Sequence, residues 1–254
     1  MSDVQVPVSK VKEISLRTFV RMGFVKFLQR FSTSIIPVIL ALYVAVLPSA
    51  FADSQDTLRI LAFGDSLTAG YRLSKDDAFA HQIEASLKSQ GYSVEVQNAG
   101  VSGDTARQGQ ARIAWTLKRG VSFDVVLLGL GANDGLRNSP IAQMKTSLEE
   151  CILNFKKAGM HVYLLGMRLP LNFDKKYRDD FEKVYVDLAK KHNVALYPFA
   201  LEGVAMNANY NLQDQIHPNK QGHKIIAERL EKWLKNDSFF KGSLEKAKLQ
   251  PKAQ

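Results

Sequence analysis

The 254-residue chain predicts an α/β fold, a three-layer α/β/α sandwich built on a five-stranded parallel sheet. Three observations carry that expectation. Short apolar runs alternate with stretches of helical periodicity, the pattern of strands joined by crossover helices. One run, "FDVVLLGLG", is continuously apolar, as a strand covered on both faces must be. Helix punctuation falls where the periodicity starts and stops, with Pro140 in a first turn and Gly91 after a last one.

The elements follow in order. "LRILAF" (58–63) is the first strand, and the amphipathic "AFAHQIEASLKSQG" (78–91) is the first long helix. "YSVEVQNA" (92–99) alternates as a half-buried strand does, and "DTARQGQARIAWTLKRG" (104–120) is the next helix. "FDVVLLGLG" (123–131) is the third strand, followed by the helix "PIAQMKTSLEECILNFKKAG" (140–159). "MHVYLLGM" (160–167) and "VALYPF" (194–199) are the last strands, separated by the helix "KKYRDDFEKVYVDLAKKH" (175–192). "PNKQGHKIIAERLEKWLK" (218–235) is the closing helix. The polar, basic residues 241–254 are expected to form a flexible tail.

Ahead of the first strand, "FVKFLQRFSTSIIPVILALYVAVLPSAFAD" (24–53) has the layout of a secretory signal peptide. Lys26 and Arg30 precede an apolar core from Ile35 to Leu47, and Ala50-Phe51-Ala52 supplies small residues for cleavage after Ala52. That core is too short to span a bilayer and has Pro37 and Pro48 at its edges. Met22, opening "MGFVKFLQRF", is a second candidate start. The expected division is an extension and signal over 1–52, one domain over 53–240, and the tail over 241–254.

The formal net charge is +9, of which residues 1–52 carry +4, leaving a mild +5. No dense Lys/Arg block interleaved with aromatics appears, so no nucleic-acid partner is expected. Transient contact with an anionic membrane surface fits the charge. The single cysteine, Cys151, cannot close an internal disulfide and lies in the helical "TSLEECILNF", where a buried, inert thiol is the default. His81, His161, His192 and His223 are scattered without ligand spacing, so neither a metal nor a cofactor is expected.

In open parallel sheets ligands sit outside the carboxyl ends of the strands. The segments there are "GDS" (64–66), "NAGVSGDT" (98–105) and "GLGANDG" (129–135), with "DQIHPN" (214–219) before the last helix. Singly each is ordinary. Gly100 and Gly103 permit positive φ, Asn133-Asp134-Gly135 reads as a turn, and Asn219 as a helix cap. Together they hold the parts that acyl transfer needs. Ser66 is the candidate nucleophile, His217 can take its proton, and Asp214 can orient the imidazole. Ser66 and Gly103 backbone amides and the Asn133 side chain are candidate oxyanion donors. Leu136, Leu169, Leu171 and Phe173 are candidate walls for an acyl chain.

These four segments resemble, in order and spacing, the four sequence blocks of the SGNH (GDSL) hydrolase superfamily. "GDSLTAGY", "SGDT", "GANDGLR" and "RLP" (168–170) are most similar to its bacterial periplasmic esterase, thioesterase and lysophospholipase subgroup. The resemblance implies a flavodoxin-like strand order, 2-1-3-4-5, a periplasmic location, and roles for Ser66, Gly103, Asn133 and His217, with Asp214 as the histidine's partner. It implies hydrolysis of aryl esters, acyl thioesters or lysophospholipids through an acyl-enzyme; a monomer is expected. One departure is Gln215, where that subgroup usually has Gly.

Rival readings are weaker. The G-x-S-x-G pentapeptide of α/β-hydrolases is absent, and "GLGAND" breaks the dinucleotide fingerprint at Asp134. A carbohydrate O-deacetylase of the same superfamily stays open as an alternative. A non-catalytic secreted binding module would lack at least one catalytic group, and none is missing.

Overall fold

The computed structural model describes residues 56–118 and 122–249. The signal-peptide reading of residues 1–52 lies outside the described residues. The five apolar runs form strands β1 (Leu58–Gly64), β2 (Val94–Gly100), β3 (Val125–Gly129), β4 (His161–Leu165) and β5 (Ala195–Tyr197). They build one all-parallel sheet in the order β2-β1-β3-β4-β5. That is the order the resemblance implied.

The helices are α1 (Ser66–Ala69), α2 (Phe79–Ser89), α3 (Ala106–Leu117), α4 (Ala132–Leu136), α5 (Ile141–Lys157), α6 (Lys175–His192), α7 (Lys220–Leu234) and α8 (Ser238–Lys246). They flank the sheet in two groups: α3, α5 and α6 pack in series, and α2 packs on α7. The central strands β1 and β3 are buried almost throughout, which is why they read as unbroken apolar runs. Helix α5 buries Met144, Leu148, Cys151 and Phe155, one face at three- and four-residue spacing. Burial pushes the Cys151 thiol up to about 12, so the thiol stays protonated and unreactive. Each fully buried aliphatic or aromatic side chain contributes roughly 1.5–3 kcal/mol.

Two expectations change. The segment "GANDG" is not a plain turn but opens a one-turn helix, α4, while Ser66 stands first in the one-turn helix α1, at the strand-to-helix junction. The tail begins as a packed helix. Asp237 caps α8, accepting the Phe240 N–H at 3.0 Å and the Tyr163 hydroxyl at 2.6 Å. Phe240, Leu244 and Ala247 are buried at helical spacing. Beyond α8, Ala247 O accepts from Ser93 N–H (2.7 Å) and Leu249 N–H donates to Gly91 O (2.8 Å). The domain therefore continues past 240, at least to 249, because an apolar stripe inside a basic segment still buries. Among the described residues no helix is long and apolar enough to cross a membrane.

Candidate active site

Strands β1, β2 and β3 end level with one another, at Gly64, Gly100 and Gly129. A Cβ on Gly64 would collide with the Thr68 side chain and the Gly129 carbonyl, and one on Gly100 with the Ala69 backbone. The missing side chains form a notch on which α1 rests directly. Gly100 is thus required by close approach and not by a positive φ, whereas Gly103 does sit at φ +87°.

Asp65 caps α1, its Oδ1 accepting the Leu67 N–H at 3.0 Å, and Ser66 is the first residue of that turn. His217 arrives from the loop between β5 and α7. Its Nε2 lies 3.0 Å from Ser66 Oγ and its Nδ1 lies 2.8 Å from Asp214 Oδ2. Asp214 Oδ1 also accepts the N–H groups of Ile216 (3.1 Å) and His217 (3.0 Å), so one carboxylate fixes both the ring and the loop. Partial burial pushes the Asp214 carboxyl up, but these bonds, the His217 side chain first, outweigh it and hold the group below the usual range. A carboxylate at Nδ1 keeps the neutral ring's proton there and leaves the Nε2 lone pair facing the serine hydroxyl.

The oxyanion candidates divide. Among the described residues, the Ser66 and Gly103 N–H groups donate to no acceptor. Asn133 Nδ2 donates to Asp104 O at 3.0 Å and reaches Asp65 Oδ2 only at 3.4 Å, so the second N–H is weakly held. Ser66, Asn133 and His217 share the cleft wall; Gly103 does not line it, and its carbonyl is held by an Arg137 guanidinium N–H at 3.0 Å. Burial pushes the Asp65 carboxyl up to about 7, with repulsion from Asp104 and Asp134 adding to that and the Leu67 N–H opposing it. Arg112 counters this buried acidity: it pairs with Asp104 at 2.7 Å, donates to Gly64 O at 2.9 Å and lies over the Phe63 ring. Asp134 binds the Ala106 N–H at 2.8 Å and so ties α4 to the start of α3, a structural role.

Ser66 opens into a cleft of about 450 Å³ with mainly apolar walls. Leu136, Leu169 and Leu171 line it as expected. Phe173 does not: the Phe173 N–H returns to Pro170 O at 3.2 Å, leaving Leu171 at the exposed tip and stacking Phe173 on Tyr177. Sequence reasoning missed Met167, Phe199, Leu201, Met206 and Ile216 in the wall. Most of these lie in the stretch between β5 and α7, whose apolar residues show no regular period. His223 lies near the site but serves packing. It is buried, and its Nδ1 accepts the Phe79 N–H at 3.1 Å. Among the described residues no cluster of three or more His, Cys, Asp or Glu could hold a metal ion.

Comparison with known proteins is consistent with this geometry. Residues 62–225 match the GDSL-like Lipase/Acylhydrolase family. The chain is 36% identical over 177 residues to the "Arylesterase" of Vibrio mimicus, covering 70% of this chain and 88% of that protein. It is 38% identical over 183 residues to the "Thioesterase 1/protease 1/lysophospholipase L1" of Escherichia coli K12, covering 72% and 85%. Among solved structures, that of TesA superposes with a TM-score of 0.66 at 33% identity, over 71% of this chain and 99% of TesA.

Proposed function

The chain belongs to the GDSL-like lipase/acylhydrolase family and is an ester-hydrolysing serine enzyme, and from that premise we propose that Ser66, His217 and Asp214 are its catalytic triad. The observation that carries the assignment is the unbroken chain from Ser66 Oγ through the imidazole to Asp214, at 3.0 and 2.8 Å. In the first half-reaction Nε2 takes the hydroxyl proton as Oγ attacks the ester carbonyl. Charge develops on the carbonyl oxygen, and the placing of the Ser66 amide and the Asn133 side chain, both in the cleft wall, supports a role as oxyanion donors; the Gly103 amide, set back from the cleft, is the third candidate. The imidazolium then returns its proton to the departing alcohol or thiol, leaving an acyl-enzyme. Water activated by the same imidazole reverses the sequence and frees the acid.

The apolar cleft supports an acyl chain as the recognised portion, which favours aryl esters, acyl thioesters and lysophospholipids over acetylated sugars. Its rim is exposed at Leu136, Leu171, Met206 and Ile216 and carries Arg168. That combination supports transient contact of the monomer with an anionic lipid surface. The N-terminal pattern supports export to the periplasm with cleavage after Ala52, which the N-terminal sequence of the protein recovered from a periplasmic fraction tests directly. For the chemistry, the deciding experiment profiles p-nitrophenyl esters of increasing chain length beside an acyl thioester and a lysophospholipid. A serine-reactive phosphonate should label Ser66 in the same preparation. Labelling of another serine, such as the exposed Ser102, overturns the assignment.

A further inference from the structure

Tyr71 closes the segment that begins with the nucleophile turn, and it touches both members of the reacting pair. Its backbone N–H donates to the Ser66 carbonyl at 3.1 Å. Its ring packs on the His217 imidazole, with centroids 4.4 Å apart and planes inclined by 36°. His217 lines the cleft and Tyr71 does not, so the phenol backs the imidazole without meeting substrate. The turn that delivers it enters the left-handed region twice, at Gly70 (φ +75°) and Arg72 (φ +59°). A non-glycine residue held there is a strained feature, and such strain tends to collect at functional sites. The two halves of the pair are 151 residues apart in sequence, and Tyr71 braces one against the other.

We propose that Tyr71 is a positioning residue for the base, its ring face holding the imidazole against Ser66 and stabilising the imidazolium. This rests on the reading of Ser66 and His217 as nucleophile and base. As the Oγ–H proton passes to Nε2, the Oγ–C bond forms and the carbonyl π pair moves onto oxygen. For that interval the imidazole carries a full positive charge against the negative face of an aromatic ring. Neutral imidazole gains none of this attraction, so the benefit falls on the transition state and not on substrate binding. A cation at such range is worth about 2- to 30-fold in rate, depending on how dry the contact is. The ring face makes the contact, so the hydroxyl is dispensable.

The test uses the full chain and a soluble ester, p-nitrophenyl butyrate, with Tyr71→Leu and Tyr71→Phe. Leucine keeps bulk and apolarity but has no π face; phenylalanine keeps the face. Tyr71→Leu should lose about tenfold in kcat with KM unchanged, and its rate of Ser66 phosphonylation should fall in proportion. Tyr71→Phe should stay within about twofold of the wild type. Tyr71→Met, which has no ring, should repeat the leucine result and stands in if Tyr71→Leu does not fold. Full kcat in Tyr71→Leu, or a rise in KM alone, would reduce the ring to packing and overturn the proposal. So would a Tyr71→Phe enzyme as slow as Tyr71→Leu, which would move the effect to the hydroxyl. A wild-type chain without ester hydrolysis, or with phosphonate on another serine, removes the triad reading itself and this inference with it.

Discussion

His217 Nε2 sits 3.0 Å from Ser66 Oγ across a separation of 151 residues, and the two meet only at the carboxyl edge of the sheet. One side chain is set on strand β1 by a one-turn helix; the other is set by a loop that Asp214 pins from within. If these three act as a unit, Ser66→Ala and His217→Ala should each cost at least about 10⁴ in kcat, and the double variant little more than either. Asp214→Asn should cost less, about 10- to 100-fold below the loss for His217→Ala, because its part is tautomer and orientation. Single-turnover rates with a p-nitrophenyl ester measure all four. Additive losses in the double variant would show that the pair is not coupled.

Asn133 is constrained differently. Its firm bond goes to Asp104 O at 3.0 Å, and its long one, at 3.4 Å, to the buried Asp65 carboxyl. Asn133→Ala should therefore lose turnover, by about 10²-fold, with KM nearly unchanged, if the weakly held N–H acts where charge develops. It should also lose about 1 kcal/mol of stability from the Asp104 bond. Kinetics and thermal melts on one preparation separate the two effects. A destabilised variant with full turnover would leave the site with backbone donors alone.

The sheet was readable because burial on both faces makes β1 and β3 continuous apolar runs, and periodicity then places the helices. Ser66, Asn133 and His217 could be singled out as candidates because each stands after a strand or ahead of a helix, at the edge where open parallel sheets place their ligands. What escaped depends on packing that no local pattern encodes. Gly64 and Gly100 form a notch under α1 only when their strands are laid in register. The stretch from Phe199 to Ile216 supplies much of the cleft wall with irregularly spaced apolar residues. Phe173 was misplaced because one reverse bond, to Pro170 O, decides which way residues 171 and 173 face. Helix α8 was legible in principle, from Phe240, Leu244 and Ala247 at helical spacing, but its charge disguised it.

The cleft sets an expectation for chain length. Each acyl methylene buried against its apolar wall is worth about 0.8 kcal/mol, roughly fourfold in kcat/KM, until the space is filled. Met206 and Leu171 stand at the mouth, 75% and 74% exposed. Met206→Asp and Leu171→Asp should spare acetate esters and depress the longer ones, flattening the chain-length profile. Profiles that drop in parallel for all chain lengths would place these residues outside the acyl path.

Gln215 lies in the left-handed region, at φ +61°, between Asp214 and the segment that ends in His217. Holding a side chain there costs roughly 1–2 kcal/mol, while glycine regains about 1 kcal/mol of entropy in the unfolded chain. These nearly offset. Gln215→Gly should fold with close to wild-type stability and retain its turnover, since the Asp214–His217 bond keeps its geometry. A β-branched residue cannot relax into this conformation, so Gln215→Val should destabilise the chain and slow catalysis together. Equal behaviour of the two variants in melts and in kcat would mean that the backbone there is not what holds the pair.

Two buried groups next to the site should make stability depend on pH in opposite senses. Burial holds His223 neutral, its value lowered to about 4, because Nδ1 must accept the Phe79 N–H. Between about 6.5 and 4 the unfolded chain binds a proton that the folded chain refuses, so this term is intact above 6.5 and is lost as pH falls, by about 3 kcal/mol. Asp65 runs the other way. Burial raises it from 3.8 to about 7, so across that window the folded chain keeps a proton that the unfolded chain releases. Its contribution therefore falls as pH rises toward 7, by about 4 kcal/mol at most. In the wild type the two largely cancel between pH 4 and 7. Each variant should uncover the other: His223→Asn, whose amide oxygen can still accept the Phe79 N–H, should melt at progressively lower temperature as pH rises from 4 to 7. Asp65→Asn should melt lower as pH falls below 6.5. The slope of melting temperature against pH is the measurement, because it is insensitive to any constant loss from the substitution. Slopes equal to that of the wild type in both variants would mean that neither group titrates differently in the folded chain.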